Sequence, residues 1–129
     1  MGTLYLVRHG QASFGAENYD QLSPLGAQQC AALGAWLHAR GLKFDAVLRG
    51  TLVRHAQSLS TIASELPGLP PLLEWPGLDE YDGHALVRAV HGGVLPQVVD
   101  ADGYRQHFRL LREGLAQWMA GATKPEGMP

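Results

Sequence analysis

The stretch Leu4-Tyr5-Leu6-Val7-Arg8-His9-Gly10 joins four apolar residues to an Arg-His pair and a glycine. A short apolar run that contains Val and Tyr predicts a β-strand buried on both faces. Such strands deliver functional side chains from their carboxyl ends, which makes Arg8 and His9 candidate site residues. Arg8 offers a fork of donors suited to phosphate oxygens, and a neutral His9 has a ring nitrogen that can attack phosphorus. Taken alone, such a tripeptide is more often only a strand end with a solvated arginine.

The sequence that follows predicts an alternation of helices and strands. Ser23 is a suitable N-cap with Pro24 at the first helical position, and apolar residues recur at helical spacing until Gly41. Residues 44 to 48 then predict a second short strand. The order strand, helix, strand predicts a right-handed crossover and a parallel pair, which is the organisation of the α/β class.

Two later segments supply further candidate site residues. Thr51 to Ser58 predicts the start of a helix with Arg54 in its first turn, where the helix N-terminus already favours an anion. Taken alone, Arg54 could also be an ordinary exposed arginine. Leu78 to Gly83 is an acidic loop. A carboxyl group beside a bound phosphate tends to be protonated, which suits a proton donor, whereas without that placement the loop is only a turn.

The last predicted helix carries an apolar stripe that we expect to lie in the core, and Asp102 is its candidate cap. The stripe consists of Tyr104, Phe108, Leu111, Leu115 and Trp118. Cys30 lies in an earlier predicted helix among apolar neighbours, so we expect a small core residue in a reducing compartment.

Length and composition limit the classes of protein. A chain of 129 residues predicts one domain over residues 1–129, and a formal charge of −2 gives no general attraction to nucleic acid or to an anionic membrane. No apolar run reaches the length of a membrane span, and no signal peptide is recognisable, so we expect a cytoplasmic location. The histidines lack the close spacing of a zinc site, and we predict no metal and no cofactor.

Together these motifs resemble those of the histidine phosphatase superfamily, which includes the cofactor-dependent phosphoglycerate mutases. Leu4 to Gly10 is similar to the Arg-His-Gly strand end of that family, and Leu22 to Gly26 is similar to its helix start. Leu52 to Gln57 resembles its second-arginine helix, and Leu78 to Glu80 resembles its Leu-x-Glu acid loop. The resemblance implies a three-layer α/β sandwich whose mostly parallel central sheet is flanked by helices.

The resemblance also implies roles for individual residues. His9 would be the nucleophile that becomes phosphorylated, Arg8 and Arg54 would bind the phosphoryl oxygens, and Glu80 would be the general acid. The expected activity is phosphomonoester hydrolysis through a phosphohistidine, with a small phosphorylated molecule or a phosphoprotein as substrate. Phosphoglycerate mutase-type phosphoryl transfer and a catalytically weak phosphoester-binding module are the alternatives.

One feature of the family pattern is missing. The resemblance implies a second pocket histidine on a later strand that ends in His-Gly. His91 precedes a glycine, but the stretch from Glu80 to His91 is too short for a crossover that returns a parallel strand, which needs a dozen or more residues. We therefore predict a helix or loop position for His91 and a C-terminally incomplete catalytic unit of weak activity. Such a fold could pair its first two strands directly, exchange segments with a second copy as a homodimer, or be partly disordered.

Overall fold

The computed structural model describes residues 1–93 and 98–128. The chain forms two compact units, Met1–Asp79 and Glu80–Pro129. Helices alternate with short parallel strands, so the predicted α/β class is confirmed, whereas a single domain over residues 1–129 stays a prediction. In chain order the elements are α1 (Pro24–Ala39), β1 (Val47–Arg49), α2 (Val53–Glu65), β2 (Leu72–Glu74), a short 3-10 helix (Pro76–Leu78), α3 (Gly83–His91) and α4 (Ala101–Met119).

Helix α1 begins and ends where the sequence predicts. The Ser23 hydroxyl accepts a hydrogen bond from the Gly26 backbone N–H at 3.0 Å, and Pro24 occupies the first helical position. The helix ends at Ala39, and Gly41 follows with a φ of 64°, a left-handed conformation that glycine adopts without steric cost. Local signals are therefore sufficient for both ends of this helix.

Helices α1 and α2 pack together around the core of the first unit. The buried residues of this core are Cys30, Leu37, Ile62 and Leu66. Cys30 is only 3% exposed, which confirms its predicted place in the core. The two helices approach each other closely at Gly34, where an added Cβ atom would collide with the backbone oxygen of Ile62 and lie 2.9 Å from the Cβ atom of Glu65.

The described residues contain one parallel strand pair, between β1 and β2. Val47 is opposite Leu72, and Arg49 is opposite Glu74, with which it forms an ion pair at 2.7 Å. The strand predicted over residues 44 to 48 is thus shorter and ends one residue later. The helix that connects the two parallel strands is α2, whereas the sequence analysis predicts α1 in that position.

The prediction that Leu4 to Val7 form a buried strand is wrong. The segment lies outside both strands of the described sheet, and Leu4 and Leu6 are 80% and 88% exposed. An apolar run is buried in a sheet only when neighbouring strands pair with its backbone, and the described strands pair with each other instead. Tyr5 still anchors the segment, because its ring packs edge-on against Phe44 at 5.4 Å.

Helix α3 belongs to the second unit and includes the position of His91. The Asp82 carboxylate caps its N-terminus by accepting a hydrogen bond from the Ala85 backbone N–H at 3.0 Å. His91 is the last helical residue and is exposed, and Gly92 follows with a φ of 68°. The prediction of a helix or loop position for His91 is therefore confirmed.

Helix α4 departs from the sequence analysis in two ways. Asp100, not Asp102, is the N-cap, because its side chain accepts a hydrogen bond from the Gly103 backbone N–H at 2.7 Å. Asp102 lies in the first turn and pairs with Arg105. Both aspartates suit a helix start, and the pattern alone does not distinguish them.

The apolar stripe of α4 is only partly shielded from water, so its prediction as core is wrong for its first half. Tyr104 and Phe108 are 38% and 53% exposed. The buried contact lies instead at Gly114, where an added Cβ atom would be 2.7 Å from the backbone oxygen of Leu86 on α3. A glycine brings the two helix backbones close together, and hydropathy periodicity does not reveal such a contact.

Gly34→Ala is expected to destabilise the chain, although alanine favours a helix over glycine by about 1 kcal/mol. The added Cβ atom would collide with the backbone of Ile62 on α2, and overpacking of this kind costs about 1–3 kcal/mol. Urea unfolding followed by circular dichroism measures the change. Ala35→Gly, at the exposed neighbouring position, is the control and should lose about 1 kcal/mol through propensity alone. A Gly34→Ala variant more stable than the parent would contradict the close helix approach.

Candidate active site

The backbone that follows His9 is held directly against helix α1. Gly10 is buried, and a Cβ atom there would collide with the Gly26 carbonyl oxygen and lie 2.9 Å from the Cys30 sulfur. Gly26 faces it in the same way, because a Cβ atom at that position would lie 2.8 Å from the Gln11 backbone nitrogen. Two glycines therefore allow the backbone at residues 10 and 11 to contact the first turn of α1.

A hydrogen bond to helix α2 fixes the same segment from the other side. The Gly10 backbone N–H donates to the Ser58 hydroxyl at 3.1 Å, and Ser58 is buried. Ser58 lies four residues after Arg54, and side chains at this spacing share one face of a helix. The segment that carries His9 is thus attached to the helix face that carries Arg54.

The His9 ring is oriented by its own backbone neighbour. Its Nδ1 atom lies 2.5 Å from the Gly10 carbonyl oxygen. A carbonyl oxygen only accepts, so Nδ1 carries the proton in this bond, and the Nε2 atom of the neutral ring bears the lone pair. This tautomer is the one that a nitrogen nucleophile at Nε2 requires.

Arg54 is buried and is held by an acidic residue from a distant loop. Its guanidinium donates from Nη1 to the Asp20 carboxylate at 3.0 Å, and the Tyr19 ring lies under it with the guanidinium carbon 5.4 Å from the ring centre. Only 7% of Arg54 is exposed. A buried guanidinium requires such partners, because an uncompensated buried charge is strongly destabilising.

The Asp20 carboxylate also caps helix α2. The N-cap residue Leu52 has no side-chain acceptor, and Asp20 instead accepts hydrogen bonds from the backbone N–H groups of Val53 at 2.9 Å and Arg54 at 3.1 Å. Partial burial by itself raises the pKa of Asp20. The two backbone hydrogen bonds and the Arg54 guanidinium outweigh it, so the pKa lies below its ordinary value.

A second carboxylate fixes the loop between β1 and α2. Asp79 accepts hydrogen bonds from the backbone N–H and the hydroxyl of Thr51, and its Oδ1 atom lies 3.8 Å from Nδ1 of His55. The bond from the Thr51 hydroxyl is the main cause of a lowered Asp79 pKa. The backbone bonds and the positive charge of His55 act in the same direction, and partial desolvation opposes them.

His55 lies beside the candidate nucleophile. The centres of the His9 and His55 rings are 5.9 Å apart, and the ring planes are tilted by 35°. The His55 side chain is 12% exposed, so it is largely shielded from water. The contact brings the first turn of α2 against the segment that ends at Gly10.

The four predicted site residues differ in how deeply they are buried and in the unit to which they belong. His9 is half-buried and Arg54 is buried within the first unit, where Ser58 connects their segments. Arg8 lies next to His9 but is exposed. Glu80 is exposed and is the first residue of the second unit. The roles of all four residues in catalysis and binding stay predictions.

The sequence analysis missed four residues of this region, which are Asp20, His55, Ser58 and Asp79. His55 follows Arg54 directly, so the motif could have indicated that His55 lies near the site. Asp20 and Ser58 act over long sequence separations, which no local pattern reveals. In the part of the chain that the structure describes, no group of three or more His, Cys, Asp or Glu side chains is arranged to hold a metal ion. None of the described helices is both long and apolar enough to cross a membrane.

Comparison with known proteins identifies the family. The model of the histidine phosphatase superfamily (branch 1) matches residues 4–89, which is more than half of the chain. The chain therefore belongs to the histidine phosphatase superfamily, which confirms the resemblance of its motifs. The match includes His9, Arg54 and Glu80.

The similar proteins include a mutase and a phosphatase. The chain is 39% identical over 77 residues to the 2,3-bisphosphoglycerate-dependent phosphoglycerate mutase of Rhizobium etli, a match that covers 55% of this chain and 36% of that protein. It is 32% identical over 68 residues to the mitochondrial serine/threonine-protein phosphatase PGAM5 of Rattus norvegicus, covering 51% of this chain and 24% of that protein. The matched part is therefore well under half the length of these curated relatives.

Among solved structures, the chain is similar to the protein histidine phosphatase SixA complexed with tungstate. The TM-score is 0.48 at 22% sequence identity, and the match covers 67% of this chain and 60% of that chain.

Asp20→Ala is expected to lower the free energy of unfolding by about 1–2 kcal/mol near neutral pH, because it removes the cap of α2 and the carboxylate partner of buried Arg54. The folded-state pKa of Asp20 lies below its ordinary value of 3.8. Its stabilising effect is therefore present above that value and is lost as the pH falls through the folded-state pKa. The stability difference between parent and variant should shrink below about pH 4.

The matched control is Asp20→Asn, which keeps an amide oxygen for the cap but removes the charge. It should lose less stability than Asp20→Ala at neutral pH. Urea unfolding at a series of pH values measures both variants. A parent-variant difference that stays constant between about pH 7 and about pH 3 would contradict the role of the Asp20 charge.

Proposed function

We propose that this chain hydrolyses phosphomonoesters through a phosphohistidine formed on His9. The observation that carries the proposal is the bond between His9 Nδ1 and the Gly10 carbonyl, which puts the lone pair of the neutral ring on Nε2. Membership in a superfamily that contains phosphatases and mutases supports the same chemistry. The substrates are small phosphomonoesters or phosphorylated proteins, since a site that binds the phosphoryl group reads only the anion.

In the proposed first step, His9 Nε2 attacks phosphorus while the bond from phosphorus to the ester oxygen breaks. The leaving oxygen takes a proton from the Glu80 carboxyl group and departs as an alcohol. In the second step a water molecule attacks the phosphohistidine and gives its proton to the Glu80 carboxylate. Inorganic phosphate leaves, and both residues return to their starting forms.

Arginine side chains stabilise the transferring group in this scheme. Phosphoryl transfer depends mainly on positioning and on charge stabilisation of the phosphoryl oxygens. Asp20 and Tyr19 restrain the Arg54 guanidinium, and a restrained arginine loses little conformational entropy when it binds an anion. Arg8 adds a second positive charge next to the nucleophile.

The assignment of Glu80 rests on the acid-loop motif and on its neighbour. Asp79 accepts a hydrogen bond from Thr51, which directly precedes the N-cap residue of α2. The backbone at residue 79 is therefore anchored to the loop that leads into the Arg54 helix. Glu80 follows it in the chain and is the carboxyl group that we propose as general acid and base.

A mutase activity is the second candidate, because the similarity to the mutase of Rhizobium etli is 39% over the matched residues. The two activities differ in the acceptor of the phosphoryl group. Labelled phosphohistidine chased with a phosphorylated hydroxy acid releases inorganic phosphate from a phosphatase, whereas a mutase transfers the label to the acid. We expect release to water.

His9→Ala is expected to abolish turnover of p-nitrophenyl phosphate, because no other group replaces the attacking nitrogen. Rapid quenching with a ³²P-labelled phosphoester should give an acid-labile, base-stable label on the parent chain and none on the variant. His91→Ala, at the exposed end of α3, is the control and should label like the parent. A label mapped to His55, His84 or His91 would contradict the assignment, and phosphate binding without any label would indicate a binding module.

Glu80→Gln is expected to slow hydrolysis of alkyl phosphates by about 10²-fold or more, the usual contribution of a general acid, and that of p-nitrophenyl phosphate much less. The reason is that nitrophenolate leaves without needing a proton. The ratio of kcat/KM values for the two substrates measures the effect. Glu126→Gln, at an exposed position, is the control and should leave the ratio unchanged. Equal losses on both substrates would mean that Glu80 only positions the substrate.

A further inference from the structure

The first turn of α2 carries a second imidazole next to the proposed nucleophile. His55 follows Arg54 in the sequence, and the centre of its ring is 5.9 Å from that of His9. Because its side chain is 12% exposed, the ring lies largely out of water. A charged group in such a place interacts with a neighbouring anion more strongly than a group on the open surface.

The structure makes room for a pairing between His55 and Asp79. Nδ1 of His55 lies 3.8 Å from the Asp79 Oδ1 atom. A Cβ atom at Gly50 would collide with both of these atoms. Gly50 is buried, so a larger residue at this position would displace the pair. The absence of a side chain at position 50 is thus what allows the carboxylate and the imidazole to approach each other.

The Asp79 carboxylate is itself held in place and ionised. Thr51 donates to it from both its backbone N–H and its hydroxyl. The Thr51 hydroxyl is the main reason that the Asp79 pKa is below its ordinary value. A carboxylate beside Nδ1 fixes the orientation of a histidine ring, and in the imidazolium form Nε2 is also a donor.

The charges around His55 determine what it can bind. Asp79 lies on its Nδ1 side, the His9 ring lies beside it, and Arg54 precedes it on the same helix with a guanidinium paired to Asp20. In that pair the negative charge of Asp20 partly offsets the positive charge of Arg54. A protonated His55 would therefore add a positive charge beside the atom that carries the phosphoryl group.

We propose that His55, held by Asp79, is a second imidazole of the phosphoryl site and that its protonated form donates a hydrogen bond from Nε2 to an oxygen of the bound oxyanion. The inference rests on the proposed function, because it needs the oxyanion to lie at His9. It makes binding of the oxyanion pH-dependent. Affinity is high while His55 is protonated and falls as the pH rises and the proton is lost.

Isothermal titration with sulfate tests the proposal, because sulfate stays a monomeric dianion across the pH range in which histidine titrates. For the parent chain we expect the affinity to fall by at least about tenfold between about pH 5.5 and about pH 8.5, because one charge-assisted hydrogen bond contributes about that much to binding. His55→Gln should bind more weakly at the lower pH and lose most of this pH dependence. His38→Gln, at an exposed position on α1, is the control and should behave like the parent.

A second variant keeps the test decisive if His55→Gln folds poorly. Asp79→Asn retains an oxygen for Thr51 but removes the negative charge next to His55. The fall in sulfate affinity between the lower and the higher pH should then be smaller than in the parent chain, a change that a merely structural role would not cause. An unchanged pH dependence in folded Asp79→Asn or in folded His55→Gln would overturn the proposal.

The outcomes also separate this inference from the proposed function. A chain that forms the phosphohistidine and binds sulfate, but whose pH dependence is insensitive to His55, refutes only the role of His55. A chain that neither becomes labelled on His9 nor binds sulfate refutes both.

Discussion

The placement of the proposed nucleophile depends on the contact between Gly10 and helix α1. Gly10 and Gly26 face each other with no side chain between them, so the backbone after His9 lies directly on the helix. The bond from Gly10 to Ser58 joins the same point to α2. One buried glycine is thus in contact with both core helices of the first unit, and the orientation of the His9 ring follows from its carbonyl group. A side chain at either glycine would separate these elements.

Two carboxylates organise the N-terminal end of α2 around this point. Asp20 supplies the cap that Leu52 lacks and binds the Arg54 guanidinium, while Asp79 holds Thr51 and lies beside His55. Both come from segments outside the helix, one before it and one after it in the chain. The helix start therefore serves as the common attachment of two loops, and its first turn presents an arginine and a histidine in defined orientations.

The helices could be predicted well because their ends depend on residues close together in the sequence, whereas the sheet was predicted poorly. Ser23, Pro24 and Gly41 define α1 through interactions within a few residues, which a pattern contains. Burial of Leu4 to Val7 depends instead on partner strands, and that information is not local. The same reasoning applies to the site. The motifs predicted His9 and Arg54 as candidate site residues, but Asp20 binds a helix start 34 residues away, and only the folded chain brings Asp20 and that helix start together.

The capping of α2 by Asp20 affects how tightly the chain would bind the phosphate that the proposed hydrolysis releases. A helix N-terminus usually attracts phosphate through its unpaired backbone N–H groups, but here a carboxylate of the chain already occupies two of them. An incoming phosphate must therefore rely on side chains, one of which shares its charge with Asp20. We expect this to loosen the hold on inorganic phosphate after the proposed hydrolysis. A carboxylate at the helix start would in this way favour rapid product release over tight retention.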